Sequence, residues 1–220
     1  GKSQARDAVL QFFKRSCFPE RLGILTFPGL GWSFERQLLS IRESGERVDG
    51  LRRTKRTFIT GIEQDERIYR SALKKIPGIR HSLTSLDPPE YARYAFRSFQ
   101  VSRYFLTNFE IFAYKHDGPP FDGAWLDFNG PPSIVRMEAI QELWRNHMRP
   151  QALLVMTFLN ARFQADVTKG IASTGGMVPY LASHFPDGNV IQQLEYRDTS
   201  PMVQIAIRRR LVLTPAAAIV

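Results

Sequence analysis

The sequence has 220 residues, of which 43% are hydrophobic, so it is long enough for one domain with a sizeable core and short for two. Its 30 Lys and Arg against 21 Asp and Glu give a formal net charge of +9, which favours a polyanionic partner, most commonly nucleic acid. A single cysteine, Cys17, excludes an intrachain disulfide, and with only four scattered histidines it argues against a metal site. The sequence contains no run of about 20 apolar residues and no signal peptide, so we expect a cytoplasmic protein that does not contact membranes.

The first half of the chain alternates helical and extended patterns. Apolar spacing over 3–16 predicts a helix, and the run from Arg21 predicts a strand that enters the glycine-containing loop 27–31. The segments that follow are a helix (32–44), an exposed basic loop (45–56), a strand (58–62), a helix (66–76) and a weaker third strand (79–86). Pro88 and Pro89 then break the chain.

The second half opens with an aromatic stretch, 90–115, whose spacing predicts a helix at first and extended structure near 109–114. It indicates a helical, aromatic insert at about 88–120. The later predicted elements are a strand (122–127), a helix (133–148), a strand covered on both faces (151–162), a helical segment (167–184) and two strands joined as a hairpin (189–198 and 201–213).

This order of elements predicts an α/β fold in a single domain, 1–220. Strands that alternate with helices form a parallel sheet with helices on both faces, which is the doubly wound arrangement. The closing hairpin adds an antiparallel strand to the end of this mostly parallel, seven-stranded sheet.

Three segments follow predicted strands, and the carboxyl ends of strands are where open parallel sheets bind ligands. The segments are FPGLG (27–31), GIEQDE (61–66) and DFNGPPS (127–133). Together with the order of the elements over roughly residues 20–213, they resemble the class I S-adenosylmethionine-dependent methyltransferases. The resemblance implies methyl transfer with S-adenosylmethionine as the cofactor.

The resemblance also implies a set of cofactor-binding residues. They are Pro28, Gly29, Gly31, Glu63, Gln64 and Asp87. The glycines let the backbone approach the methionine and ribose part of the cofactor, while Glu63 accepts hydrogen bonds from the ribose hydroxyls and Asp87 falls near the adenine. The residues alone leave two alternatives open: the loop 27–31 as a simple tight turn, and Glu63 as a cap of the following helix.

The segment 127–133 resembles the one with which amino-methyltransferases hold a nucleic acid base. The resemblance implies that Asp127, Asn129 and Pro131 are catalytic residues, which orient an amino group through polar side chains and a backbone carbonyl. Ser133 stands where those enzymes have a stacking aromatic. The alternative from the residues alone is that 129–131 turns the chain and Asp127 caps the next helix.

Basic residues before the second strand are the candidate nucleic-acid contacts. They are Arg52, Arg53, Lys55 and Arg56, and a solvated charged loop is the alternative explanation for them. The run 208–210 cannot line one phosphate path, because consecutive strand residues point to opposite faces. Most aromatic residues of 91–114 are expected in a core.

The sequence therefore supports two functions. One is methyl transfer from S-adenosylmethionine to a nucleic acid. The other is a non-catalytic nucleic-acid- or protein-binding module on a degenerate methyltransferase-like scaffold, in which Phe27, Trp32 or Phe34 fills the cofactor pocket. Either function is compatible with a partner subunit or a homodimer.

Overall fold

The computed structural model describes most of the second half of the chain and shorter stretches of the first. The described residues are 6–7, 9–10, 21–27, 33–40, 47–48, 51–52, 56–73, 80–82, 103–197 and 199–211. The predictions made for Pro28, Gly29, Gly31, Trp32, Arg53, Lys55, Asp87 and the segment 83–102 lie outside the described residues.

The described elements form an eight-stranded sheet covered by helices. In chain order they are β1 (Arg21–Thr26), α1 (Ser33–Ser40), β2 (Arg47–Val48), β3 (Leu51–Arg52), β4 (Arg56–Glu63), α2 (Glu66–Leu73), β5 (Arg80–Ser82), β6 (Arg103–Leu106), α3 (Phe109–Lys115), β7 (Phe121–Asp127), α4 (Ile134–Asn146), β8 (Met148–Leu159), α5 (Ala165–Thr174), α6 (Met177–Ser183), β9 (Gly188–Arg197) and β10 (Pro201–Arg209). The strand order is β5-β6-β4-β1-β7-β8-β10-β9. All neighbours are parallel except β10, which runs antiparallel to β8 and β9. The predicted fold class is confirmed.

The central strands are buried on both faces. In β8, every residue from 152 to 158 is buried, and β7 is buried along six consecutive positions from Phe121 to Leu126. Strands of this kind have apolar side chains on both faces, because helices cover the sheet on each side. The edge strand β9 instead alternates between exposed and half-buried positions.

Two apolar clusters occupy the two faces of the sheet. One joins the N-terminal helical residues Val9 and Leu10 to α1 and α2, and its members include Leu22, Ile24, Phe34, Leu38, Tyr69 and Trp125. The larger one packs α3 to α6 against the opposite face, and its members include Leu25, Ala124, Leu126, Ile140, Leu143, Leu181 and Ile205. None of the helices among the described residues has the length and apolar character needed to cross a bilayer.

The aromatic stretch differs from its prediction. Residues 103–106 form β6, which lies between β4 and β5, and the helix begins only at Phe109, the reverse of the expected order. Tyr104 and Phe105 are both fully buried, on opposite faces of β6. A strand buried on both faces has consecutive apolar residues, so its sequence lacks the alternation that would distinguish it from a helix. Asn108 starts the helix, because its side chain accepts a hydrogen bond from the backbone N–H of Ile111 at 3.2 Å. The sheet therefore has one strand more than expected.

Two smaller predictions also change. The segment 45–56 was expected to be an exposed loop, but β2 and β3 pair within it as a short antiparallel hairpin. The segment 167–184 contains two helices, α5 and α6, separated by Gly175 in the left-handed region (φ 81°), which glycine tolerates without strain.

Arg209 ties the end of β10 to α4 and to the start of β8. Its Nη1 donates to the carbonyl oxygens of Trp144 at 2.7 Å and Met148 at 2.6 Å, and its Nε pairs with Asp187 at 3.1 Å. The guanidinium also lies over the Trp144 ring at 5.5 Å, and the indole N–H of Trp144 donates to Asp187 at 2.6 Å. The charge of Arg209 is therefore used inside the fold.

We expect Arg209→Ala to lower the free energy of unfolding by about 2–3 kcal/mol, because two carbonyls and a carboxylate lose a charged donor. Arg210→Ala is the matched control. Its guanidinium contacts only the exposed Asn189 side chain among the described hydrogen bonds, so its effect should stay within about 0.5 kcal/mol. Urea denaturation followed by circular dichroism measures both. Equal effects of the two substitutions would contradict the assigned role.

Candidate functional site

The ends of three neighbouring strands define the candidate site. β4, β1 and β7 are adjacent and parallel, with Thr26 of β1 opposite Gly61 of β4 and Trp125 of β7. Glu63 and Asp127 each lie two residues beyond those partners, at the carboxyl end of their strand. The chain order changes direction beside β1, and ligands of open α/β sheets bind at such a switch point.

Glu63 stands at the carboxyl end of β4 and does not cap the helix that follows. Its Oε1 accepts from the backbone N–H of Asp65 at 2.9 Å, and the residue is half-buried. The cap of α2 is Asp65, whose Oδ1 accepts from the N–H groups of Arg67 at 2.7 Å and Ile68 at 3.3 Å. Capping therefore belongs to Asp65, and the Glu63 carboxylate, with about four acceptor positions, keeps capacity for further donors. Burial raises the pKa of Glu63, and backbone hydrogen bonds partly oppose this.

The segment after β7 is held by contacts that leave Asn129 exposed. Asp127 is half-buried at the strand end, and α4 is capped by Ser133, whose Oγ accepts from the N–H of Arg136 at 3.3 Å. Asp127 therefore does not cap α4, so that alternative does not apply. The carbonyl of Pro131 accepts from Arg136 Nη1 at 3.1 Å.

Arg136 is the residue that fixes this segment. Besides bonding to Pro131, its guanidinium lies over the Phe128 ring at 4.6 Å, and its Nε pairs with Glu110 of α3 at 3.4 Å. The N–H of Leu159 bonds to the carbonyl of Gly130 at 3.0 Å and anchors the same turn to β8. The turn is thus rigidly supported from two neighbouring elements.

The aromatic residues next to the site belong to the core. Phe128 is 6% exposed, and its ring contacts those of Phe27 at 5.0 Å, Phe109 at 5.7 Å and Phe158 at 5.0 Å. Phe128 therefore does not offer a face to a nucleic acid base in place of the aromatic missing at Ser133. Phe34 packs under α1 against Trp125, with ring centroids 3.9 Å apart.

A buried carboxylate that the sequence analysis did not single out lies at the same strand end. Glu35 of α1 is 3% exposed, and its Oε1 accepts from the Thr26 hydroxyl at 2.8 Å. Burial raises the pKa of the Glu35 carboxyl above its ordinary value of 4.5; its hydrogen bonds and the charge of Arg6 lower it, and Asp127 raises it further. The available signal was an acidic residue in the apolar first turn of the helix that follows the glycine loop.

One of the predicted phosphate contacts, Arg56, lies far from this site. Its backbone begins β4, while Glu63 stands at the carboxyl end of that strand; Arg52 ends β3. The eight residues of β4 separate the two ends by roughly 23 Å at the usual strand rise. The described residues include no group of three or more His, Cys, Asp or Glu that could hold a metal ion.

Comparison with known proteins identifies the fold. No protein-family model and no curated protein matches this sequence. The structure is similar to N-methyltransferase NodS from Bradyrhizobium japonicum WM9, at 11% identity and a TM-score of 0.54, covering 94% of this chain and 96% of that one. A NodS complex with S-adenosyl-L-homocysteine is similar at 14% identity and a TM-score of 0.53, covering 94% and 86%. A provisionally described methylase from Haemophilus influenzae is similar at 13% identity and a TM-score of 0.55, covering 94% and 88%. The chain has the fold of the class I S-adenosylmethionine-dependent methyltransferases.

The raised pKa of Glu35 predicts a pH dependence of stability. A carboxyl whose pKa is raised in the folded state stabilises the fold below its unfolded pKa, and that contribution is lost as pH rises through the folded value. We therefore expect the wild type to lose stability relative to Glu35→Gln as pH rises above about 4.5. Urea denaturation of both proteins across the pH range measures the difference, which a solvent-exposed Glu35 would not show. Glu195→Gln, an exposed substitution on β9, is the control.

Proposed function

We propose that this chain is a methyltransferase that binds S-adenosylmethionine at the carboxyl ends of β4, β1 and β7. The observation that carries the proposal is the placement of Glu63 and Asp127 on either side of the end of β1. Parallel strands bring their carboxyl ends to one edge, so a cofactor at the end of β1 meets Glu63 on one side, and an acceptor beside it meets Asp127 on the other.

The described residues fit the cofactor. Glu63 is half-buried and has acceptor capacity beyond its bonds from the backbone of Asp65 and Gln64, as a ribose diol requires, and the Gln64 residue is exposed. We assign the methionine and ribose part to the loop with Pro28, Gly29 and Gly31, and the adenine to the vicinity of Asp87, as the resemblance implies. The shared fold with NodS, whose complex contains S-adenosyl-L-homocysteine, supports this assignment.

The bound cofactor supplies an electrophilic methyl group on a sulfonium. The protein then has to hold an acceptor nitrogen in line with that methyl group, and proximity and orientation provide most of the rate. We assign this role to Asp127 and to the exposed side chain of Asn129, which stand at the end of β7 on a turn fixed by Arg136. The carbonyl of Pro131 already accepts one bond from Arg136 and has a second lone pair for the acceptor amine.

We propose a nucleic acid as the molecule that carries the acceptor. The net charge of +9 supports this, as does the similar fold of a provisionally described rRNA methylase from Clostridium thermocellum, at 10% identity and a TM-score of 0.52. Arg52, Arg53, Lys55 and Arg56 are the proposed phosphate contacts. Because Arg56 begins β4 and Asp127 stands at the carboxyl edge of the sheet, a nucleic acid that reaches both has to extend along the sheet by roughly 23 Å.

Cofactor binding is the first test of the proposed function. We expect micromolar binding of S-adenosylmethionine by calorimetry, and a loss of roughly 10- to 100-fold in Glu63→Ala, because charge-assisted hydrogen bonds contribute about 1.5–3 kcal/mol. Glu66→Ala is the matched control, since Glu66 is exposed and pairs with Arg70. Absence of binding at millimolar cofactor would reject the enzyme and favour the non-catalytic scaffold.

Methyl transfer is the second test. With labelled cofactor and separate pools of RNA, DNA and protein as acceptors, we expect label in a nucleic acid pool. Asp127→Ala should slow transfer about 100-fold while cofactor affinity stays within about twofold, because the residue orients the acceptor. The exposed Asp166→Ala on α5 should match the wild type. Transfer at the wild-type rate by Asp127→Ala would remove Asp127 from the mechanism.

A further inference from the structure

Glu35 has features of a functional carboxylate. It is 3% exposed, yet the positions around it in α1, Phe34 and Leu38, are apolar core residues. Burying a carboxyl is costly unless hydrogen bonds and charges compensate. Glu35 has a backbone hydrogen bond, the hydrogen bond from Thr26 at 2.8 Å and the charge of Arg6 as compensation.

The strand register brings Glu35 and Asp127 to the same corner of the sheet. Thr26 pairs with Trp125, and paired residues of parallel strands share a face. Asp127 lies two residues beyond Trp125 and so returns to that face, the one that α1 covers with Phe34 against Trp125. Glu35 bonds to Thr26 from this side. It therefore lies beneath the switch point, next to the proposed methyl-acceptor site.

The charged groups around Glu35 come from three other elements. Arg6 of the N-terminal helical segment lowers the Glu35 pKa and Asp127 of β7 raises it. The pKa of Tyr104 on β6 is raised, first by burial and then by the charges of Glu63 on β4 and of Glu35, so both carboxylates act on the same buried hydroxyl. Tyr69 of α2 stacks on Tyr104. The described groups here comprise three carboxylates, two phenols and one cation, which favours a ligand that brings a positive charge.

We propose that Glu35 is a specificity-determining residue of the cofactor site, where its buried carboxylate makes the site prefer a positively charged sulfonium to a neutral thioether. The inference rests on the proposed function, since it assumes that S-adenosylmethionine binds at this edge. The Glu35 side chain is buried beneath the end of β1, so it acts on the ligand through the electric field of its carboxylate and without direct contact.

The physical reason is the surrounding low dielectric. S-adenosylmethionine and S-adenosylhomocysteine share their amino, carboxyl and adenosine groups and differ by the methyl group and the positive charge on sulfur. A buried charge is screened weakly, so its attraction for that sulfur extends over several ångströms. Product release follows from the same interaction, because transfer of the methyl group removes the charge that Glu35 attracts.

Proton release provides a second consequence, measurable in the wild type. Burial raises the pKa of Glu35, so its carboxyl holds a proton more readily than an exposed one does. A cation bound nearby favours the ionised form, so binding of S-adenosylmethionine releases protons and its affinity rises with pH. Binding of the thioether leaves the Glu35 proton in place.

The test is calorimetric titration of both ligands into the wild type, Glu35→Gln and Glu195→Gln, at about pH 5 and about pH 8, in buffers of different ionisation enthalpy. At the higher pH we expect Glu35→Gln to weaken the binding of S-adenosylmethionine about tenfold and that of S-adenosylhomocysteine about twofold or less. The wild type should release protons with the first ligand only, and Glu195→Gln should behave as the wild type does.

Three results would overturn the inference. If Glu35→Gln weakens both ligands equally, the residue is structural. If the wild type binds both ligands with the same proton release, Glu35 does not sense the sulfonium; this measurement needs no variant and so does not depend on the folding of Glu35→Gln. If the wild type binds neither ligand, the proposed function fails, and the inference fails with it.

Discussion

The burial of the central strands on both faces is the constraint on which the rest of this structure depends. When β1, β7 and β8 are covered by helices on each side, a charged side chain inside them needs compensation, as Asp122 obtains from the N–H of Gly23 at 2.8 Å and from Arg149 at 3.4 Å. Half-buried carboxylates instead occur at the strand ends, where Glu63 and Asp127 stand.

Glu35 shows a different solution to the same constraint. The end of β1 carries Thr26 and Phe27, neither of which is acidic, and α1 delivers the carboxylate instead. The hydroxyl of Thr26 provides the hydrogen bond that a buried acid requires. Together with Glu63 and Asp127, this residue makes the described carboxyl edge acidic in a protein whose net charge is +9. Arg56 begins β4, at the opposite end of that strand from Glu63.

The hydrogen bonds decide two capping alternatives that the sequence left open. Glu63 was a possible cap of α2, and the cap is Asp65. Asp127 was a possible cap of α4, and the cap is Ser133. Such competition is decided by which side chain reaches an N–H group, and spacing along the chain does not specify that distance. The secondary structure of the stretch 103–115 was harder to predict from the sequence, since aromatic residues at mixed spacing fit a buried strand as well as a helix.

The sequence by itself determined the class of the fold, because the alternation of apolar strands with amphipathic helices and the closing hairpin depend on local periodicity. It also located the strand-end segments that contain Glu63 and Asp127, because turn residues follow buried runs. Only the tertiary structure decided which side chains meet. Glu35 reaches Thr26 because α1 folds back onto β1, and the basic end of β4 lies away from Asp127 because parallel strands align their ends. The first fact is a contact between a strand and the helix that follows it, and the second depends on pairing between strands distant in sequence; local propensity specifies neither.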